Sequence, residues 1–465
     1  MSKQAIPTHP CVLCSSNHRE HVYSRGHTHV VRCTNCGMQE DSGFAHDAGA
    51  ISHPVRASPR IGALLQRVPG VVTLITSTGG PKSLQPQLAG ICASGRLEVV
   101  DFSALGTLSG SDGLIVVDDH LLDQENPVAT LRTLRTRMNG KHTILFVVEL
   151  VGSSRRWLRE SQTTRVSPAR FWPNWAVFHK MLLASGFDRI WLYDPETAQH
   201  GTPFALVSAH IGPQRDRPLL SIIMPVFNER ATFKEAIERV LNKEIPCIDK
   251  RILIVESNST DGTKELVAAY EGHENIDIIW QAAPKGKGHA VREGLAAATG
   301  DIILIQDADL EYDVDDYDAL IEELMSWRAS FVLGSRHTGE WKIRKFNDMP
   351  IIADIFNVGH IFFTGLLNIL LRADLKDPFT MYKVFYRDCV HGLNFRCKRF
   401  DFDHELVVKL YRKGFRPVEI PANYTARSFG EGKKVSILKD GMTWILTDIQ
   451  LIREPLEIPE YRWRP

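Results

Sequence analysis

Between residues 220 and 309 the chain repeats one pattern: a short apolar run, a polar cluster, then a stretch of helix length. The apolar runs fall at 220–225, 252–255, 276–280 and 302–305. Each is too short for a helix and rich in Ile or Val, which reads as a strand buried on both faces. Helical stretches follow at 231–241, 264–270 and 289–298. Strands separated by helices are joined by crossovers, so the expectation is a doubly wound α/β domain with a parallel sheet. Such sheets bind ligands beyond the carboxyl ends of their strands, where the polar clusters lie.

Two clusters carry chemistry. Asp307 and Asp309 follow the run at 302–305, with Glu311 two residues on. Hard divalent cations take carboxylate oxygens, so Asp307, Asp309 and Glu311 read as the site of a Mg²⁺ or Mn²⁺ ion that holds a sugar diphosphate. Lys285, Gly286, Lys287 and Gly288 precede the third helical stretch. Glycines let the backbone approach closely and a helix N-terminus favours anions. An exposed loop is the other reading of that segment, and the nearby acids favour a nucleotide site.

These pieces, in this order, resemble family-2 glycosyltransferases of the GT-A fold. The similarity is to the branch of dolichyl-phosphate mannosyl- and glucosyltransferases and their bacterial polyprenyl-phosphate relatives. It runs from Leu220 to about Arg453 and rests on the stretches 225–229, 259–263, 286–288, 306–312, 334–336, 377–383, 400–405, 424–428 and 430–434. The resemblance implies that Pro225, Phe227 and Glu229 contact base and ribose, and that Lys287 joins the nucleotide site. Glu256 stands where the family usually has Asp, with Ser257 where a second Asp is common, which leaves uridine and guanosine carriers both open. Asp307 and Asp309, helped by Glu311, handle diphosphate and metal. Arg336, Arg427, Lys433 and Lys434 face phosphate or acceptor. Transfer inverts the anomeric centre. A hydroxyl acceptor on a glycan or protein needs a general base, for which Glu405 and Asp377 are candidates with Asp403 behind them. Each of those acids has a second reading as an ion-paired structural group. A lipid-phosphate acceptor is already an anion and needs a cationic clamp instead.

The stretch 351–371 is the longest apolar run, yet Asp354, Asn357, His360 and Asn368 fall within one arc at about 100° per residue. It therefore reads as an amphipathic helix, either packed on the core or lying in a membrane interface, and not as a spanning segment. In the resembled family this is where lipid is presented, which favours a polyprenyl-phosphate acceptor.

Ahead of the glycosyltransferase-like half, Cys11, Cys14, Cys33 and Cys36 form two CxxC knuckles. The spacing suits a zinc ribbon over residues 1–48, with four thiolates closing a structural Zn²⁺ shell. The histidines between the knuckles read as surface residues. Residues 49–212 alternate strand-like runs (71–76, 97–100, 114–117, 143–148) with a helix at 127–138. Residues 118–137, 170–173 and 182–187 resemble class I S-adenosylmethionine-dependent methyltransferases. The turn after residue 75 lacks the acid and glycine-rich pattern of that family, so the expectation is a degenerate domain, with a bifunctional enzyme and a partner-docking module as alternatives. Residues 213–218 read as a linker, 219–453 as the transferase domain and 454–465 as a tail. Lys plus Arg equal Asp plus Glu at 55 each, which argues against bulk nucleic-acid binding. A polar start without an apolar h-region and scattered cysteines favour a cytoplasmic protein, peripheral on the inner membrane face.

Overall fold

The computed structural model describes residues 10–25, 28–36, 38–41, 71–76, 88, 97–107, 113–138, 143–150, 173–192, 202–213, 215–337, 350–397, 399, 401–426, 447, 450, 451 and 453. The chain forms two units. One is Met1–Gln214 with Ser326–Arg328 and Glu460–Pro465; the other is Arg215–Met325 with Ala329–Pro459.

The first unit opens with β1 (Arg19–Arg25), β2 (Thr28–Cys33) and β3 (Gln39–Asp41), antiparallel in that order. The Sγ atoms of Cys11 and Cys36 are 3.5 Å apart, as are those of Cys14 and Cys33, and all four lie within 4.8 Å of one another. A tetrahedral ion with sulfur at about 2.3 Å needs sulfurs roughly 3.8 Å apart, so the four thiols fit a metal. His18 is exposed and is not one of the gathered ligands.

The second sheet of this unit contains β4 (Val71–Thr76), β5 (Leu97–Asp101), β6 (Gly113–Val117), β7 (Thr143–Leu150), β8 (Phe187–Leu192) and β9 (Thr202–Ile211), in the order β5-β4-β6-β7-β9-β8. The strands β5, β4, β6 and β7 are parallel, while β9 runs antiparallel to both β7 and β8. The sequence predicted a parallel sheet. Residues 193–201 are too few for a crossover, which takes a dozen or more, so β9 must return beside β8. Helix α1 (Pro127–Arg137) starts with Asn126 Oδ1 accepting from Ala129 N at 3.0 Å and with Pro at the first position. It buries Leu131 and Leu134; α2 (Trp175–Ala184) buries Phe178 and Met181. Phe146 joins that core through edge-on contacts with Phe178 and Phe187 at 5.7 and 6.1 Å.

The other unit is built on seven strands in the order β12-β11-β10-β13-β15-β14-β16. They are β10 (Leu219–Val226), β11 (Asp249–Glu256), β12 (Ile276–Trp280), β13 (Ile302–Ile305), β14 (Phe331–Ser335), β15 (Lys383–Tyr386) and β16 (Val418–Pro421). The strands β12, β11, β10 and β13 are parallel; β15 is antiparallel to its neighbours β13 and β14. Chain order runs outward from β10 to β12 and then returns to β13 on β10's other side, so the strand order reverses between β10 and β13. The helices are α3 (Phe233–Asn242), α4 (Thr263–Ala268), α5 (Lys287–Ala297), α6 (Tyr317–Met325), α7 (Pro350–Leu371) and α8 (Phe402–Arg412). A Cβ on Gly294 would meet Ile223 Cγ2 at 2.4 Å, so only glycine lets α5 lie this close to β10. Arg215, expected in a linker, pairs with Asp301 at 2.9 Å, and Asp301 also accepts from Leu219 N at 2.9 Å. That segment is therefore tied into the start of β10.

Helix α7 is amphipathic with its polar side inward. Asn357, His360 and Thr364 are buried, whereas Val358, Ile361, Phe362 and Ile369 are 59%, 48%, 58% and 77% exposed. Asn368 explains part of this: its side chain donates to Leu375 O and accepts from Leu375 N, both at 2.8 Å. No helix among the described residues is long and apolar enough to cross a membrane.

Lys180 of α2 is buried, and its ammonium donates to Cys36 O at 2.8 Å and Trp327 O at 2.7 Å. Lys180→Met leaves those carbonyls without their donor, at about 1–3 kcal/mol for each one left buried and unsatisfied. Its thermal unfolding should begin earlier than the parent's. Loaded with Zn²⁺, the four-thiol cluster of the variant should also lose the ion to a chromophoric chelator at least ~10-fold more readily than the parent's, as loss of a residue supporting a metal ligand does.

Candidate active site

Three strands of the second unit end in left-handed backbone at non-glycine residues. Asn228 follows β10 with φ 51°, Asn258 follows β11 with φ 57°, and Leu310 follows β13 with φ 61°. Asn tolerates this conformation; Leu does so at roughly 1–2 kcal/mol. Such strain persists only where surrounding bonds fix it, and it concentrates at functional sites.

The bonds that fix it are present. Asn228 N donates to Ser259 Oγ at 2.9 Å and Asn228 Oδ1 accepts from Thr260 N at 2.8 Å. Glu229 N donates to Thr263 Oγ1 at 2.9 Å, and Arg230 N to Asp261 Oδ2 at 3.1 Å. The stretch Ser259–Thr263 is thus a clasp between the loops after β10 and β11. Burial works against the Asp261 charge, but hydrogen bonds from Thr263 and Arg230 prevail and hold its carboxyl below the usual range. Pro225 and Phe227 are half-buried at this end of β10. Glu229 Oε2 accepts from Thr232 Oγ1 at 3.2 Å. Glu256, expected on the base edge, is fully buried and turned onto its own loop: its oxygens accept from Asn258 N at 2.9 Å and Ser259 N at 2.7 Å.

Beside this clasp lies the acid cluster. Lys287, first residue of α5, places its ammonium 2.6 Å from Asp307 Oδ2. Burial disfavours that charge, and the carboxylates of Asp307, Asp403 and Asp309 more than offset it, holding the ammonium above its ordinary range. Asp309 Oδ1 accepts from Glu311 N at 3.2 Å, and Glu311 Oε2 accepts from Tyr424 Oη at 2.8 Å. Asp307, Asp309 and Glu311 do not converge: among the described residues the four cysteines are the one group whose ligand atoms gather closely enough for a metal. Mg²⁺ and Mn²⁺ do not require an all-protein cage, because one or two carboxylates plus substrate phosphates suffice. The half-buried Asp309 fits that role, with Asp307 held by Lys287 and Glu311 by Tyr424.

The other expected residues divide sharply. Arg336 and Asp377 form a buried two-pronged pair, Nε to Oδ2 at 2.8 Å and Nη2 to Oδ1 at 2.7 Å, with Arg336 N adding a third bond at 2.8 Å. Burial opposes the Asp377 charge, yet Arg336 prevails and its carboxyl lies well below the usual range. Glu405 is fully buried and accepts from Arg396 N and Cys397 N, both at 2.8 Å, and from Lys409 Nζ at 2.8 Å. Both acids are ion-paired with both oxygens engaged, the arrangement of the second reading given for them. Asp403, of the same stretch as Glu405, adds to the field on Lys287, and Lys383 Nζ donates to it at 3.1 Å. Arg427, Lys433 and Lys434 lie outside the described residues. Lys383 and Tyr424 stand in the stretches 377–383 and 424–428 but were given no role from the sequence, where only the charged neighbours Asp377 and Arg427 drew one.

Residues 221–390 match the family model described as Glycosyl transferase family 2. The chain is 26% identical over 214 residues to a dolichol-phosphate mannosyltransferase of Pyrococcus furiosus, covering 46% of this chain and 58% of that one. It is 29% identical over 241 residues to the low-salt glycan biosynthesis hexosyltransferase Agl6 of Haloferax volcanii, covering 51% and 54%. The chain thus spans about half the length of these curated relatives. Among solved structures, glucosyl-3-phosphoglycerate synthase of Mycobacterium tuberculosis aligns over 51% of this chain and 81% of its own, at 18% identity and a TM-score of 0.38. The chain carries a glycosyltransferase domain of family 2.

Asp377→Asn removes the charge that balances the buried Arg336 guanidinium, a loss of about 3–5 kcal/mol. Because the native Asp377 carboxyl is depressed, its contribution is present above the unfolded pKa and lost as pH falls through the lower native value. The gap in urea midpoint between parent and variant should therefore be full at pH 7 and shrink below about pH 4.

Proposed function

We propose that this domain is an inverting, metal-dependent hexosyltransferase that moves a sugar from a UDP- or GDP-sugar to a membrane-associated lipid phosphate. The observation that carries the donor half is the cluster of Lys287, Asp307, Asp309 and Asp403 where the strand order reverses between β10 and β13. Asp309 would hold Mg²⁺ or Mn²⁺ together with the diphosphate, and the ion when bound supplies Lewis-acid stabilisation of the leaving group. Lys287, charged and pinned to Asp307, adds a fixed positive charge beside the same phosphates. The clasp at Asn228 and Ser259 shapes the wall against which base and ribose lie.

The acceptor half is supported by α7 and by the committed state of the acids. Asp377 and Glu405 each have both oxygens engaged by cationic or amide donors, which disfavours protonation and suits an acceptor that is already an anion. An outward face of Val358, Ile361, Phe362 and Ile369 suits an acyl-chain boundary. The name of the Pyrococcus furiosus relative agrees with such an acceptor. Arg336 keeps Nη1 for a phosphate. If the acceptor is instead a hydroxyl, Asp403, oriented by Lys383, is the acid placed to take its proton.

We read the four cysteines as a structural Zn²⁺ site, which keeps no open position for chemistry. A second reading, that the first unit also binds S-adenosylmethionine, is favoured by one atom: Oδ2 of Asp118, buried just past β6, has no hydrogen-bond partner. Titration calorimetry that gives no heat at millimolar cofactor would rule this out.

With UDP- and GDP-sugars and Mn²⁺, the full chain should release nucleoside diphosphate when a short polyprenyl phosphate is added. Asp309→Ala should lower that rate at least ~100-fold, the scale for losing a transition-state charge contact. Activity that survives both a chelator and this substitution sinks the donor reading. In flotation with anionic vesicles, Ile361→Asp with Phe362→Asp should move the protein to the unbound fraction; equal binding sinks the membrane reading.

A further inference from the structure

Leu310 sits in left-handed backbone directly after Asp309, so something must hold the turn that aims the Asp309 carboxylate. Part of the hold is local, through Glu311 N to Asp309 Oδ1. The rest comes from residues 423–425, more than a hundred positions away. Thr425 N donates to Glu311 O at 2.8 Å, and Tyr424 pairs with Tyr312 as an antiparallel bridge. Asn423 donates through N and Nδ2 to the two Asp316 oxygens at 2.7 and 2.8 Å. This strap lies against the whole loop that follows Asp309.

At its centre Tyr424 makes two contacts of different kinds. Its hydroxyl donates to Glu311 Oε2 at 2.8 Å. A donor to an ionised carboxylate makes one of the stronger hydrogen bonds. Its ring lies under the Arg336 guanidinium, 5.3 Å from Cζ to centroid, and beside Tyr312 at 5.1 Å. One side chain therefore touches the acid coupled to Asp309 and the cation assigned to phosphate.

We propose that Tyr424 is a positioning residue for the transfer reaction: it orients the Asp309–Glu311 turn toward the divalent cation and holds Arg336 in register with it. This rests on the donor-site reading given above. Residues that orient metal-binding carboxylates typically carry about 10–100-fold in metal affinity, and a guanidinium over an aromatic face is held by electrostatic attraction to the ring. The hydroxyl and the ring act on different partners, so two substitutions separate them.

The test is Mn²⁺ binding to the full chain, read as loss of the free-ion EPR signal, with saturating UDP and, separately, GDP. Tyr424→Phe should weaken Mn²⁺ binding by about 10-fold, with Glu311→Gln weakening it similarly and the double variant adding little more. In turnover, the Mn²⁺ activation constant should rise by the same factor while kcat falls less. Tyr424→Leu should in addition raise KM for the phosphate acceptor, because Arg336 loses its ring. If Tyr424→Phe binds Mn²⁺ like the parent while Asp309→Ala does not bind it, the positioning role is overturned and the donor site stands. If Asp309→Ala also binds like the parent, the donor site itself is wrong. Thermal unfolding of Tyr424→Phe within a few degrees of the parent excludes a folding defect as the cause of weakened binding.

Discussion

The chemistry of the second unit depends on the pairing of β10 with β13. Ile222 opposes Leu304 and Ile223 opposes Ile305 in parallel register, all fully buried. That register sets the loop after β10 beside the loop after β13. It brings Asn228 and its clasp to the same end of the sheet as Asp307 and Asp309. α5 can supply Lys287 there because Gly294 lets the helix rest on Ile223. Parallel strands need crossovers, crossovers place helix N-termini at the carboxyl end, and the polar cluster follows from that geometry.

A second constraint is charge. Four buried acids around this end are each matched to a cation, Asp307 to Lys287, Asp377 to Arg336, Asp403 to Lys383 and Glu405 to Lys409, while Glu256 is held by backbone amides instead. An unpaired charge in such a place costs several kcal/mol, so each acid is retained only with its partner. The pairs differ in what they leave open. Asp377 and Glu405 take three donors each, with both oxygens of each engaged. Asp307 accepts from Lys287 and Asp403 from Lys383, and both contribute to the field on Lys287. The division separates acids engaged by three donors from acids held by one lysine, and the motif letters alone do not make it.

That division marks how far the sequence could be read. The strands at 220–225, 252–255, 276–280 and 302–305 emerged as β10 to β13 within a residue or a few at their starts, because continuous apolar runs bounded by polar clusters carry a strong signal. The antiparallel β15 between β13 and β14 left no such trace, since pairing direction is set by connection geometry and not by composition. Glu256 was expected to reach a ligand, yet the left-handed Asn258 brings two amide donors back onto its carboxylate. For α7 the polar arc was legible, but its direction was not. Among the described residues the loop at 373–377 helps fix it, through Asn368 to Leu375 and His360 to Lys376 O.

Helix α7 also shows why an amphipathic pattern does not by itself say which face is inside. Hydrophobic burial would turn Ile361 and Phe362 inward, each worth roughly 1.5–3 kcal/mol if fully buried. The opposite orientation satisfies the buried Asn357, His360 and Thr364, and it supplies partners for the backbone of the turn that leads to Asp377. His360 Nε2 lies 3.7 Å from Asp377 Oδ1, so the polar face of α7 also borders the Arg336 pair. An apolar face left outward in this way is stable in water only at a cost, which a lipid boundary would remove. The same helix thus connects an outward apolar surface with the buried Arg336–Asp377 pair, and the lipid-phosphate acceptor proposed above is the class that would use both at once.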